Sequence, residues 1–224
     1  MLKVAIRLVA DAALVASFLF IGAGTFAWWR AWVLVAVLLG VRAIGALAVY
    51  RVNPALLVER AKFPIHRQQS QIDRVLLLAV LATGFLGLPA LAALDVFHWR
   101  VWPQPAPRLS DAGLILFALG WSLKSLALRE NAFAIAAVRP QRAHAVADTG
   151  VYAVVRHPFY AADLLILVGL GLWLESFVAV LGAAIPVLLM VTRLRLEERF
   201  LRRELPAYGA YALRVRYRLI PGVW

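Results

Sequence analysis

HAVADTGVYAVVRHPFY, residues 144–160, is a polar, glycine-containing connector that runs into an apolar stretch, AADLLILVGLGLWL, residues 161–174. Pro158 suits the first position of a helix, where its missing N–H would be unpaired anyway, so a helix is predicted to start at His157 or Pro158. The unpaired N–H groups and positive dipole end of that helix, crowded by Arg156, His157 and Tyr160, form a seat for a carboxylate or phosphate. The stretch reads as half of a nucleotide-cofactor site beside a membrane.

Working outward, two apolar runs follow, residues 159–174 and 177–194, joined by little more than Glu175 and Ser176. They predict an antiparallel helical hairpin. The first run spans roughly 24 Å at about 1.5 Å per residue, which is short for a bilayer core of about 30 Å. The second run leads into RLRLEER, residues 193–199, in which Arg193 and Glu197 stand four apart and share a helix face. An antiparallel hairpin sets that end beside Arg156, His157 and Tyr160.

The rest of the chain is a set of membrane segments. The 224 residues are 63% hydrophobic, with a mean hydropathy of +0.80. Further spans are predicted over residues 4–24, 27–50, 72–94 and 111–129, giving an all-α polytopic bundle of about six segments. Residues 51–71 predict an interfacial helix and loop, and the arginine-rich stretch from Arg195 predicts an amphipathic surface tail. The first segment is retained in the mature chain, because it lacks a cleavage pattern. Domain organisation follows: residues 1–130 carry N-terminal membrane helices, and residues 131–224 carry the cofactor-binding core. Gly84, Gly87 and Pro89 interrupt the third segment, which neighbouring helices tolerate.

Charge orients the bundle. Of the 24 Lys and Arg, 19 fall at the N-terminus, in the 51–74 and 129–156 loops and in the tail counted from Arg193, and only Arg30, Arg100 and Arg108 reach the other side. The positive-inside rule makes the rich side cytoplasmic, with both termini there, and Trp28, Trp29, Trp32, Trp99, Trp102 and Trp173 suit an aromatic belt at the opposite face. The ratio of 21 Arg to 3 Lys points to a GC-rich bacterium and hence a bacterial plasma membrane. Inside the spans, Asp11 is expected to face water or a neighbour, Lys124 to snorkel to the interface, and Arg42 to be either a structural ion pair or a site residue.

Several chemistries are set aside. The net charge of +12 lies in short loops rather than on a soluble basic face, so anionic lipid headgroups, not nucleic acid, are the expected partner. Zero cysteines exclude disulfides and a thiolate nucleophile. His66, His98, His144 and His157 lack chelating spacing, so no metal site is expected. Gly169 and Gly171 lack a preceding strand and a third glycine, and are read as allowing close helix packing.

The convergent residues offer arginines for a carboxylate, a glutamate for ribose hydroxyls or an ammonium, tyrosine faces for a cation or adenine, and apolar helices for a lipid. S-adenosylmethionine presents all of those needs, its sulfonium gaining about 0.5–2 kcal/mol from an aromatic face. GVYAVVRHPFY, the hairpin and RLRLEERFLRRELPAYGAYALRVRYRLIPGVW together resemble the C-terminal half of the isoprenylcysteine carboxyl methyltransferase family, with phospholipid N-methyltransferases as wider relatives. NPALLVERA and IDR upstream resemble its bacterial branch.

The resemblance implies that His144, Ala145, Val146, Ala147, Tyr152, His157, Pro158, Phe159, Tyr160 and Glu197 contact S-adenosylmethionine, and that Arg193 serves the acceptor. Arg156 and Glu198 are candidates for a carboxylate clamp and a base, or are solvated charges. The expected function is methyl transfer to a lipophilic or lipid-anchored acceptor, favouring a carboxylate, for which Arg193 would orient the group and no base is needed. The alternatives are a phospholipid-type N-methyltransferase, in which Glu198 or a tyrosine would act as base, an NADPH-dependent membrane reductase, and a non-catalytic scaffold or transporter. The acceptor's identity and the oligomeric state are left open.

Overall fold

Caps and breakers in the sequence set the helix ends. The computed structural model describes residues 1–62, 65, 69–131 and 146–224. Among the described residues it is all-helical: α1 Leu2–Ala23, α2 Trp29–Tyr50, α3 Pro54–Arg60, α4 Gln71–Trp99, α5 Pro107–Glu130, α6 Pro158–Trp173, α7 Phe177–Glu204 and α8 Ala207–Arg214. Gly24 closes α1 in the left-handed conformation, φ 67°, with its N–H on Phe20 O at 2.9 Å. Asn53 caps α3 through Leu56 N at 3.0 Å with Pro54 in the first turn, and Ser70 caps α4 through Asp73 N at 3.2 Å.

Among the described residues five helices, α1, α2, α4, α5 and α7, are long and apolar enough to cross a bilayer. The remaining apolar helix, α6, has 16 residues and the shortness that its sequence predicts. In the turn that follows, Glu175 takes φ 63°. Arg30 secures that turn. It pairs with Glu175 at 2.8 Å and lies over the rings of both Trp29 and Trp173, at 4.7 and 4.6 Å from their centroids.

Helix α4 contains two π-helical turns, Leu81–Gly87 and Asp95–Trp99. The first stands directly before Pro89, whose missing N–H and ring disrupt the ordinary ladder. The second brings the buried carboxylate of Asp95 to Ser176 Oγ, which donates at 2.6 Å and ties α4 to the hairpin turn. Helices α5 and α6 meet backbone to backbone. A Cβ on Gly113 would lie 2.6 Å from Trp173 N, and one on Gly169 would lie 2.6 Å from Gly113 O, so both sites require glycine.

Three expectations change. Trp28 and Trp173 are buried inside the protein, leaving Trp29, Trp32, Trp99 and Trp102 exposed for an aromatic belt. Lys124 does not snorkel; it pairs with Asp163 of α6. The apolar side of the tail covers the protein rather than the bilayer, for Leu205, Tyr208, Tyr211, Val215 and Leu219 are all buried. Backbone bonds hold it there: Arg156 N–H donates to Tyr217 O at 2.9 Å and His157 N–H to Arg218 O at 3.0 Å.

Candidate active site at the start of α6

Pro158 occupies the first turn of α6 and His157 its N-cap, as the sequence predicts. The two N–H groups that precede the helix are therefore satisfied by the tail, and the tail is drawn across the mouth of the hairpin. From this junction the side chains divide into two groups.

One group faces a cavity. Tyr160 Oη donates to Glu197 Oε2 at 2.8 Å and accepts from Arg193 Nη1 at 3.0 Å. Arg193 in turn donates through Nε to Asp73 Oδ1 of α4 at 2.7 Å. Arg193 thus links three helices, reaching α6 through the Tyr160 hydroxyl and α4 through Asp73. Charge-assisted bonds of this kind are roughly twice as strong as neutral ones, and here they fix the register of α4, α6 and α7.

The second group is packed beside it, with Arg156 and His157 also reaching the cavity wall. Glu198 Oε1 lies 3.0 Å from Arg156 Nε and 3.3 Å from His157 Nε2, while Oε2 accepts from Arg218 Nε at 3.1 Å. Arg156 also donates to the carbonyl of Ala212 at 3.1 Å. Arg156, His157 and Glu198 are all at most 7% exposed. One carboxylate therefore binds the α6 start, α7 and the tail together.

The cavity has a volume of about 460 Å³, within the roughly 300–1,000 Å³ usual for small-molecule sites. Val146, Ala147, Tyr152, the run from Arg156 to Tyr160, Arg193 and Glu197 all line it. Glu198 is not among the described lining residues. His144 and Ala145 lie outside the described residues. The cavity reaches far beyond these, between α1, α2 and α5, where its wall is apolar apart from a few charged side chains.

Connector residues complete the near wall. Asn131 Nδ2 donates to Tyr152 Oη at 3.2 Å, Tyr211 Oη donates to the Tyr152 carbonyl at 2.8 Å, and Val151 N–H donates to Glu130 Oε2 at 2.7 Å. Gly150, with φ 52°, lets the chain turn against that glutamate. Burial pushes the phenols of Tyr152, Tyr208 and Tyr211 above their usual range, so they stay neutral near pH 7. Tyr208 Oη is buried without a hydrogen-bond partner, and its residue lines the cavity. A buried hydroxyl left unpaired is costly, and a guest with a polar group beside it would relieve that cost.

Sequence reading missed Asp73, Arg60 and the tail tyrosines. Arg60 lines the cavity and lies over the Phe159 ring, 5.0 Å from its centroid. Asp73 and Arg60 fall within the very IDR and NPALLVERA stretches that carried the bacterial-branch resemblance, so a signal was present without an assigned role.

A polytopic helical membrane bundle with a polar cavity at the mouth of its C-terminal hairpin is the class that this geometry defines. Residues 110–208 match the family model described as phospholipid methyltransferase. The bundle is similar to the eukaryotic intramembrane Ras methyltransferase ICMT, isoprenylcysteine carboxyl methyltransferase, with a TM-score of 0.58 at 21% identity over 97% of this chain and 76% of that one. It is also 31% identical over 101 residues to the cobalt-zinc-cadmium resistance protein CzcN of Cupriavidus metallidurans, covering 45% of this chain. The chain spans about half the length of that curated relative, 47%.

Proposed function

We propose that this protein is an S-adenosylmethionine-dependent methyltransferase acting on a lipophilic acceptor, with a carboxylate as the methylated group. The observation that carries the reading is the convergence of Arg193, Tyr160 and Glu197 on one cavity that is polar at the hairpin mouth and apolar between the membrane helices. The family match over residues 110–208 supports the reaction class.

The donor set suits the cofactor: Glu197 for ribose hydroxyls or the ammonium, the Tyr152, Tyr160 and Tyr208 rings for aromatic contact, and the orphan Tyr208 hydroxyl for a polar group. Val146 and Ala147 close the connector side, and His144 and Ala145 are assigned to it by the family pattern. When bound, S-adenosylmethionine supplies an electrophilic methyl group. Residues 131–224 then form the cofactor-binding part, and α5 supports it from the N-terminal side.

Arg193 holds the acceptor carboxylate, and its bonds to Asp73 and Tyr160 fix the angle at which the guanidinium presents itself. The apolar walls exclude water, which strengthens each charged contact inside. Orientation is the protein's main contribution, since a carboxylate attacks without losing a proton. The groups that an amine acceptor would need as bases fit poorly. Glu198 is engaged by Arg156, Arg218 and the His157 imidazole, and the tyrosines of the connector and tail are held neutral. We assign Glu198, Arg156 and His157 to holding the site together. Access to the cofactor places the hairpin mouth and both termini on the cytoplasmic side of a bacterial plasma membrane, as the charge distribution suggests.

An amine acceptor is the second reading, because the matching family model carries the phospholipid name. One experiment separates them. Detergent-solubilised protein is titrated with S-adenosylhomocysteine by calorimetry, then incubated in native membranes with methyl-labelled S-adenosylmethionine and the lipids extracted. A label that alkali releases as methanol supports a methyl ester, whereas an alkali-stable label selects N-methylation. Absence of S-adenosylhomocysteine binding overturns the methyltransferase reading in favour of a scaffold, and preferential NADPH binding selects a reductase.

A further inference from the structure

One turn deeper along α6 from Tyr160, the same cavity carries a second polar cluster that the methyl-transfer site does not use. Tyr160 and Asp163 are three apart and share a helix face, and both line the cavity. Asp163 pairs with Lys124 of α5. Two cations lie over the Trp121 ring, Lys124 Nζ at 5.1 Å and the Arg42 guanidinium at 4.7 Å from its centroid. Arg42 of α2 donates to Asp11 at 2.7 Å, and Arg7 claims the same carboxylate at 2.8 Å.

The charges of this cluster do not balance. Among the described ion pairs Arg7 and Arg42 share Asp11 while Lys124 takes Asp163, and Arg60 adds a further positive charge near Asp163 and Arg42, so cations are in excess, and membrane proteins keep charges between their helices for function. Two buried donors there have no hydrogen-bond partner, Arg42 Nη1 and Trp121 Nε1. Both belong to residues that line the cavity. Every unmet group in the cluster is therefore a donor or a cation, so the missing guest must bring acceptor oxygens and negative charge.

We propose that Arg42, Trp121 and Lys124 form a binding site for an anionic oxygen group, phosphate or carboxylate, carried by a lipid that occupies the cavity. The proposal rests on the reading of this cavity as the place where a lipophilic acceptor sits, and it adds that the acceptor carries a second anionic group besides the one methylated. Lipid is favoured over a free anion because the cluster opens between membrane helices, where the wall around it is apolar.

The test uses radiolabelled hexadecyl phosphate, hexadecanol and inorganic phosphate, with the full chain in nonionic detergent. Hexadecyl phosphate is expected to bind at least tenfold more tightly than either of the others. Arg42→Gln is expected to remove that preference, and Trp121→Phe, which keeps the ring and deletes only the N–H, to weaken binding about threefold. Titration of the same samples with S-adenosylhomocysteine is expected to give unchanged affinity, which also reports that each variant is folded. Equal binding of hexadecanol, equal binding of inorganic phosphate, or a preference lost with Arg193→Gln but retained with Arg42→Gln and Trp121→Phe would each overturn the proposal. If S-adenosylhomocysteine fails to bind while the Arg42-dependent preference persists, the anion site stands and the methyltransferase reading falls.

Discussion

Glu197 and Glu198 are neighbours of the same chemistry on the same helix, yet about 100° of helical rotation gives them different surroundings. Glu197 faces the cavity and accepts from Tyr160 alone among the bonds described above, whereas Glu198 is enclosed by Arg156, His157 and Arg218. The difference teaches that a paired-glutamate motif divides its labour by what is packed against each face. One carboxylate is available to a guest, and the other closes the protein around it.

Breaking the enclosed member should have the largest effect. Glu198→Ala leaves Arg156 buried without its counter-charge and His157 Nε2 without its partner, and loss of one partner from a buried ion pair costs about 3–5 kcal/mol. Thermal unfolding in detergent should show a fall in Tm large enough to reduce the yield of folded protein. An unchanged Tm would mean that the tail is held by its backbone bonds to residues 156 and 157 alone, and the division between the two glutamates would collapse.

Arg193 belongs to the cavity side, and its loss should reach acceptor chemistry as well as stability, because Asp73 loses its buried partner. Arg193→Ala is expected to lower acceptor kcat/KM about a hundredfold, or about 2.7 kcal/mol, while S-adenosylhomocysteine binding changes less than threefold. The opposite pattern would move Arg193 to the cofactor. Glu197→Ala should come next, weakening S-adenosylhomocysteine binding about tenfold, near 1.4 kcal/mol, with Tm preserved. If Glu197→Ala lowers Tm as Glu198→Ala does, the two positions share a structural role.

Much of this was legible before any coordinates, for local reasons. Pro158 at the head of an apolar run fixes where α6 begins, and the two-residue joint at Glu175 and Ser176 forces the hairpin, so the approach of Tyr160 to Glu197 follows from the chain itself. Partners brought from far away were not legible. Asp73 reaches Arg193 across 120 positions, and nothing in a lone aspartate at the start of a span announces that contact. Charge also misled where the bilayer was assumed as solvent. Lys124 has the reach to snorkel, but Asp163 on the facing helix offers it a partner without leaving the protein. The same holds for Trp173, which resembles a belt residue by depth and is buried against Arg30. The tail's apolar residues fit a membrane surface and a protein surface equally well in a pattern, and only the carbonyls of Tyr217 and Arg218, bonded to the α6 start, select the second.

The smallest expected effect sharpens the contrast from the connector side. Tyr152 hydroxyl accepts one hydrogen bond, from Asn131, and lines the cavity, while burial raises its pKa beyond the usual 10. Raising the pKa of an acid keeps it protonated to higher pH, so between about pH 6 and 9 this phenol neither takes nor gives a proton. Tyr152→Phe therefore removes one neutral hydrogen bond, worth about 0.5–1.5 kcal/mol, and should slow methyl transfer roughly two- to tenfold by loosening the cofactor wall. The shape of the pH–rate profile should not change, because no titrating group has been lost. A profile that loses an inflection in the variant would make Tyr152 a base, and would shift the acceptor from a carboxylate to an amine.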